Sequence, residues 1–203
     1  INAVFKMLEG KLKDNFTIGI NDDVTNLSLD VVPYNIDLGT KDIKIYGFGS
    51  DGMVSTSKDI MKIVGLSDKF VQSYNQYDSK KSGGVTICNL RIGDRQINAP
   101  YYVTNPDIVV VTKDKYFFKF DLINDIKSNG VLVINTVHED MNAFLPNNVK
   151  KIIKDKNVKL YTINAEEIAI NAGIPGKISK IMEMVILSLM DYPNALNLIN
   201  ESI

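Results

Sequence analysis

Hydrophobic and polar positions along the chain follow two periods. Val4, Leu8 and Leu12 recur at helical spacing near the N-terminus. Met53, Ile60, Met61 and Val64 do so again, leaving Ser57, Lys58 and Lys62 for the polar face of a helix over Gly52 to Val64. Strand patterning covers Phe16 to Ile20, Ile43 to Tyr46, Lys69 to Tyr77 and Val85 to Ile92. Ile108 to Val111 and Val131 to Ile134 are uninterrupted apolar runs, as expected of strands covered on both faces. The spacing predicts further helices over Tyr116 to Ile126 and around Val149 to Lys156, and others from Glu166, Lys177 and Asn194; Val158 to Ile163 reads as a strand. Asn21 to Lys41, with paired aspartates, Pro33 and Gly39, has loop chemistry, and so has Asp78 to Gly84.

Strand, helix and strand in repetition imply helices on both faces of a sheet. The expected fold is a three-layer α/β/α sandwich around a largely parallel, partly mixed sheet, as a single domain over residues 1–203. Composition agrees, since 45% of the 203 residues are hydrophobic and 23% charged, enough for a core and unlike a disordered tail. Lys and Arg number 23 against 24 Asp and Glu, for a net charge of -1, which argues against nucleic acid as a partner. The most apolar stretch, Ile181 to Met190, contains Glu183 and is far shorter than the roughly 20 residues that cross a bilayer, so it reads as a buried helix and no membrane partner is expected. The chain opens on Ile1 inside a helical pattern with no basic leader, and reads as excised from something longer.

In an open parallel sheet, ligands bind outside the carboxyl ends of the strands. Two loops qualify. Gly47-Phe48-Gly49-Ser50-Asp51-Gly52 has G-x-G-x-x-G spacing between a strand and a helix, where glycines admit a close backbone approach and free amides face an anion. Tight connection alone would also explain such a turn, and Asp51 reads as a helix cap whose carboxylate would repel a phosphate at close range. Where a dinucleotide fold would place an acid for a ribose hydroxyl, the chain instead has Lys80 and Lys81, followed by Ser82-Gly83-Gly84. Lysine pairs in loops are ordinarily solvated, but two ammonium groups beside a glycine turn favour a phosphorylated ribose, as in NADP or the 3′-phospho-ADP of coenzyme A.

Other candidates are weaker. His138, the only histidine, precedes Glu139 and Asp140 and reads as a surface residue at a helix start. Cys88, the only cysteine, reads as a small buried hydrophobe; it cannot by itself ligate a cluster or close an internal disulfide. A catalytic triad cannot be argued from these residues, and no metal-binding residues are expected. Arg91 and Arg95 are the only arginines, and Arg91 is expected to flank the lysine hairpin or to pair on the surface. Tyr116, Phe117 and Phe120 are expected in the core.

At these loops the sequence resembles the gamma-type domain, domain III, of pyruvate:ferredoxin (flavodoxin) oxidoreductases. FTIGINDDVTNLSL (Phe16 to Leu29), YGFGSDGMVSTSKDIMKIVG (Tyr46 to Gly65) and above all YDSKKSGGVTICNLRIG (Tyr77 to Gly93) carry the likeness, with NAPYYV, NGVLVINT and KLYTINAEEIA in the same order. The resemblance implies a large enzyme that oxidatively decarboxylates pyruvate with coenzyme A, giving acetyl-CoA, CO2 and reduced ferredoxin or flavodoxin. Thiamine diphosphate and [4Fe-4S] clusters would belong to its other domains, which would be this chain's partners in a homodimeric parent. The chain alone would be inactive. A cytoplasmic location, or a hydrogenosome-like organelle in a eukaryote, is implied. Carried over by residue, coenzyme A would be held by Gly49, Ser50, Asp51 and Gly52 and by Lys80, Lys81, Ser82 and Gly83. The first loop departs from the family pattern at Ser50, Met53, Ser55, Thr56 and Ser57, and Thr112-Lys113-Asp114-Lys115-Tyr116 stands where histidine, asparagine and proline are usual. Two rival readings stay open, a non-catalytic assembly domain of a fused, sulfite-reductase-like flavoprotein and an NADP-binding oxidoreductase domain.

Overall fold

A computed structural model describes residues 2–20, 23–30, 36–49, 51–78 and 84–190. The chain falls into two compact units, Ile1–Asp37 and Leu38–Ile203. In the first, helix α1 (Asn2–Leu8) is followed by irregular chain. Leu12 lies beyond the helix end, and the strand expected over Phe16 to Ile20 reduces to a bridge between Thr17 and Ser28.

The second unit is built on one sheet of six strands in the order β2-β3-β1-β4-β5-β6. These are β1 (Thr40–Phe48), β2 (Phe70–Tyr77), β3 (Val85–Gly93), β4 (Ile108–Val111), β5 (Val131–Asn135) and β6 (Lys159–Ile163). β1, β4, β5 and β6 run parallel, while β3 pairs antiparallel with both β1 and β2. The sheet is therefore mixed, with β3 its antiparallel member.

Every side chain of β4 is buried, because each face of that strand meets its own core. Ile43, Ile45, Ile108, Val110 and Val133 face α2 (Met53–Gly65), α5 (Ala165–Asn171) and α6 (Ile178–Leu189). On the other face, Val109, Val111, Leu132 and Ile134 pack with Tyr116, Phe117, Leu122, Ile123 and Ile126 and with α3 (Met141–Phe144) and α4 (Asn147–Asp155). The three layers stand as expected.

Local differences have physical causes. The helix expected over Tyr116 to Ile126 is a single 3-10 turn, Asp114–Phe118, followed by irregular chain. Leu122, Ile123 and Ile126 still reach the core, so apolar burial there does not need helical periodicity. Phe120 escapes it and is 44% exposed, whereas Tyr116 and Phe117 are buried. Ser57, assigned to the polar face of α2, is fully buried and returns its hydroxyl to the Val54 carbonyl at 2.9 Å. The apolar stretch from Ile181 lies in α6, and among the described residues no helix is long and apolar enough to cross a membrane. The helix expected from Asn194 lies outside the described residues.

Candidate functional site

Strand register places the two candidate turns together. Phe48, the last residue of β1, pairs with Val85, the first of β3, and Tyr77 at the end of β2 pairs with Thr86. The turn after β1 and the β2–β3 turn therefore leave the same end of the sheet. They touch: the Gly49 amide donates to the Gly84 carbonyl at 3.3 Å. Ser50, Lys80, Lys81, Ser82 and Gly83 lie outside the described residues, so the flanks Gly49, Asp51, Gly52, Asp78 and Gly84 define the geometry.

This end is also where strand order reverses. From β1 the chain crosses to the α2 face, and from β4 it crosses to the opposite face, so the carboxyl ends of these neighbours border the crevice that open α/β sheets use. Asp51 spans it. Its Oδ2 accepts from the Phe48 amide at 2.6 Å and from Thr112 Oγ1 at 2.7 Å, and its Oδ1 accepts from the Met53 amide at 3.1 Å. The helix-cap position expected for Asp51 falls to Gly52; the Asp51 carboxylate instead holds the loop just before α2 and ties it to the end of β4.

Two of the three glycines have packing reasons. A Cβ on Gly47 would lie 2.9 Å from Met53 Cβ, so glycine lets the start of α2 lie against β1. Gly52 has φ of 84° and no room for a Cβ, which would stand 2.9 Å from Ser179 Cβ at the start of α6. Gly49 has no such constraint, with nothing nearer a Cβ than the Gly84 carbonyl at 3.9 Å. In the second turn a Cβ on Gly84 would meet Asp78 Cβ at 2.7 Å, so a close hairpin requires that glycine too.

Beside the first turn is a cavity of about 250 Å³ bordered by Phe48, Asp51, Gly52, Met53, Val54, Ser55 and Thr86. The amides of Val54 and Ser55 belong to the first turn of α2, where no intrahelical acceptor exists. Ser55 and Thr86 add hydroxyls to the same lining, and the Asp51 carboxylate in it is already occupied by the Phe48 and Met53 amides and the Thr112 hydroxyl. The rim continues along β4 and β5: Asn135 Nδ2 donates to the Thr112 carbonyl at 3.2 Å, and Asn135 Oδ1 accepts from the Ala165 amide at the start of α5 at 2.9 Å. Thr136 Oγ1 donates to Asp114 at 2.6 Å. Sequence reasoning missed Thr112, Asn135 and Thr136; their position just at or past the ends of buried parallel strands was the available signal.

Arg91 corrects an expectation. Six residues along β3 from Val85, it lies roughly 20 Å from the hairpin turn, since a strand rises about 3.3 Å per residue. It is buried beside Asp42 at 3.7 Å, donates to the Tyr101 carbonyl at 2.7 Å and sits 4.8 Å over the Tyr101 ring. It is neither a flank of the lysine turn nor a surface ion pair. His138 is half-exposed, stacked on Phe144 at 4.1 Å and 3.7 Å from Asp114, three residues before α3. Burial pushes the Cys88 thiol up to about 11 and the Tyr116 hydroxyl up to about 12. Among the described residues no cluster of His, Cys, Asp and Glu is placed to hold a metal ion.

Residues 42–201 match the family Pyruvate ferredoxin/flavodoxin oxidoreductase. The pyruvate:ferredoxin oxidoreductase of Moorella thermoacetica is 37% identical over 100% of this chain, which spans only 18% of that protein. Subunit PORC of a pyruvate oxidoreductase from Thermotoga maritima superposes with a TM-score of 0.62 at 21% identity, covering 81% of this chain and 83% of the subunit. A 2-oxoglutarate:ferredoxin oxidoreductase from Magnetococcus marinus, solved with 2-oxoglutarate, coenzyme A and succinyl-CoA bound, gives a TM-score of 0.61 at 14% identity over 81% of this chain and 26% of that one. At such identities these two structures share a fold, while the whole-chain likeness at 37% carries relationship. By sequence match and by sheet architecture together, the chain belongs to the pyruvate ferredoxin/flavodoxin oxidoreductase family.

Proposed function

We propose that this chain is the coenzyme A-holding segment of a 2-oxoacid oxidoreductase, which decarboxylates pyruvate and passes the acyl group to coenzyme A, with ferredoxin or flavodoxin accepting the electrons. Thiamine diphosphate and [4Fe-4S] clusters supply the carbanion and electron-transfer chemistry of that reaction and belong to other segments of the parent, since this chain's one cysteine cannot ligate a cluster. The residues here bind and orient. The amides of Val54 and Ser55 and the hydroxyls of Ser55 and Thr86 face the diphosphate. Lys80 and Lys81, on the adjoining turn, answer the 3′-phosphate, and Ser50, Ser82 and Gly83 complete that turn pair. Asp51 acts by holding the loop in shape, because its oxygens already accept from Phe48, Met53 and Thr112.

The observation that carries this reading is the contact between Gly49 and Gly84, which joins the two turns into one rim. The presence of coenzyme A in an enzyme that shares this fold over 26% of its chain supports the choice of ligand. Calorimetric titration of the full-length protein tests it: Lys80→Ala/Lys81→Ala is expected to weaken coenzyme A by at least about tenfold while the KM for pyruvate is unchanged. Unchanged coenzyme A affinity would overturn it, and saturable NADP binding in its place would favour a dinucleotide site.

A further inference from the structure

Phe120 keeps the spacing of a core residue and yet stays outside the core. Its ring stands edge-on to Tyr116 with centroids 5.5 Å apart, and it borders a cavity of about 410 Å³, a size in the range of small-molecule sites. Every residue of that lining belongs to the unit Leu38–Ile203. Strand register builds the floor. Tyr46 stands opposite Ile87, and Ile87 opposite Gln76, so the three share one face of the sheet, with Val85 two positions along β3 on the same face. Phe120 and Asp121 come from the irregular chain after the 3-10 turn, and Tyr77 and Asp78 at the end of β2 complete the lining.

These side chains select for a particular chemistry. Val85, Ile87 and the Phe120 ring give apolar contact suited to a planar ring. The charged groups are carboxylates, Asp78 and Asp121, and among the described residues no Lys or Arg lines the cavity, so a phosphate is repelled there and an amine is accepted. Burial first, and then the charges of Asp125 and Asp121, push the Tyr46 hydroxyl above its ordinary value; the Asp121 charge therefore acts across the cavity. A neutral, planar ring with an exocyclic amine meets all of these conditions.

Position narrows the choice further. Tyr77 and Asp78 lead directly into the turn that carries Lys80 and Lys81, and Gly84 and Val85 follow it. In coenzyme A the 3′-phosphate and the adenine leave the same ribose, so a phosphate answered by those lysines brings the base to this end of the hairpin. Resting on the coenzyme A reading above, we infer that the cavity is the adenine subsite: Phe120 covers the ring, Val85 and Ile87 support it, and Asp121 accepts from its exocyclic amine. The carboxylates also set the direction of binding, with the base inward and the phosphates towards the lysines.

Calorimetric titration of the full-length protein with coenzyme A and with its hypoxanthine analogue, in which a ring carbonyl replaces the amine, tests this. The parent is expected to prefer coenzyme A by about tenfold or more. Phe120→Ala should weaken both ligands by about tenfold with little change in melting temperature, since the side chain lies outside the core. Asp121→Asn, whose amide oxygen can still accept from the Asn124 amide as the carboxylate does at 3.3 Å, should narrow the preference, because its amide nitrogen donates to the carbonyl and opposes the amine. A parent that does not separate the two ligands, a Phe120→Ala variant with unchanged affinity, or an Asp121→Asn variant with unchanged preference would each overturn the inference. Lys80→Ala/Lys81→Ala, titrated alongside, tells the two failures apart: if it weakens coenzyme A while Phe120→Ala does not, the base subsite falls and the coenzyme A reading stands; if neither weakens it, both fall.

Discussion

Thr112 and Asp51, far apart in sequence, meet across the crevice between β4 and β1, the threonine hydroxyl donating to the carboxylate at 2.7 Å and also to the Tyr46 carbonyl at 3.1 Å. One hydroxyl and one carboxylate thereby tie the loop that leads into α2, whose first turn carries the proposed phosphate donors, to the end of β4. Replacing Asp51 by Ala would remove the side-chain acceptor of the Phe48 and Met53 amides and leave the Thr112 hydroxyl only the Tyr46 carbonyl. A loss of about 2 kcal/mol is expected, against about 1 kcal/mol for Thr112→Val. In the double variant the losses should fall short of their sum, because the bond is shared. Urea denaturation checks this; simple additivity would contradict it.

Gly52 should tolerate no side chain. Gly52→Ala is expected to cost about 2 to 3 kcal/mol, from its left-handed φ and from the collision with Ser179. Ser179→Gly in that background should recover the steric part, about 1 kcal/mol, and leave the backbone part. Full recovery, read from urea midpoints, would show that φ there carries no cost.

A partly buried ion triad joins α2 to α6. Lys180 Nζ lies 3.1 Å from Asp59 and 3.0 Å from Glu183, whose Oε1 is buried without a partner. Burial pushes the Glu183 carboxyl above its ordinary 4.5, and the hydrogen bond from Lys180 only partly offsets this. The folded chain thus holds that proton more tightly than the unfolded chain, so the contribution of Glu183 to stability is fully present below 4.5 and is lost as pH rises through the folded value. Glu183→Gln is expected to flatten that part of the curve. Lys180→Met should steepen it and cost about 2 kcal/mol, less than a fully buried pair because the lysine is a quarter exposed. Denaturation midpoints from about pH 4 to about pH 8 decide, and a Lys180→Met profile parallel to the parent's would contradict the account.

Cys88 lies in β3 with no exposed surface, and burial raises its thiol to about 11, so almost none is thiolate near neutral pH. Disulfide exchange with a chromogenic reagent is expected to run at least about 100-fold slower in the native chain than in urea. Equal rates would place the thiol at the surface.

The sheet was legible because its strands announce themselves locally. Ile108 to Val111 is apolar at every position, and the structure buries every one. The 3-10 turn was not legible, because Tyr116, Phe117 and Phe120 satisfy a helical period while the chain between β4 and β5 needs only to drop Leu122, Ile123 and Ile126 onto the sheet. Arg91 was misplaced because nearness in sequence to the lysine turn was read as nearness in space, which an extended strand does not allow. The two turns could be guessed to share an edge from the hairpin pattern. Nothing local could show that Thr112, sixty-one positions from Asp51, closes the crevice behind them.

The central claim is that the glycine turn and the lysine turn act as one anion cradle, and it is tested most directly by comparing coenzyme A with 3′-dephospho-coenzyme A on the full-length protein. The parent should prefer coenzyme A by about tenfold or more, and Lys80→Ala/Lys81→Ala should erase that preference while Ser55→Ala weakens both ligands alike. A parent that binds the two ligands equally, or a lysine-less variant that still separates them, would contradict it.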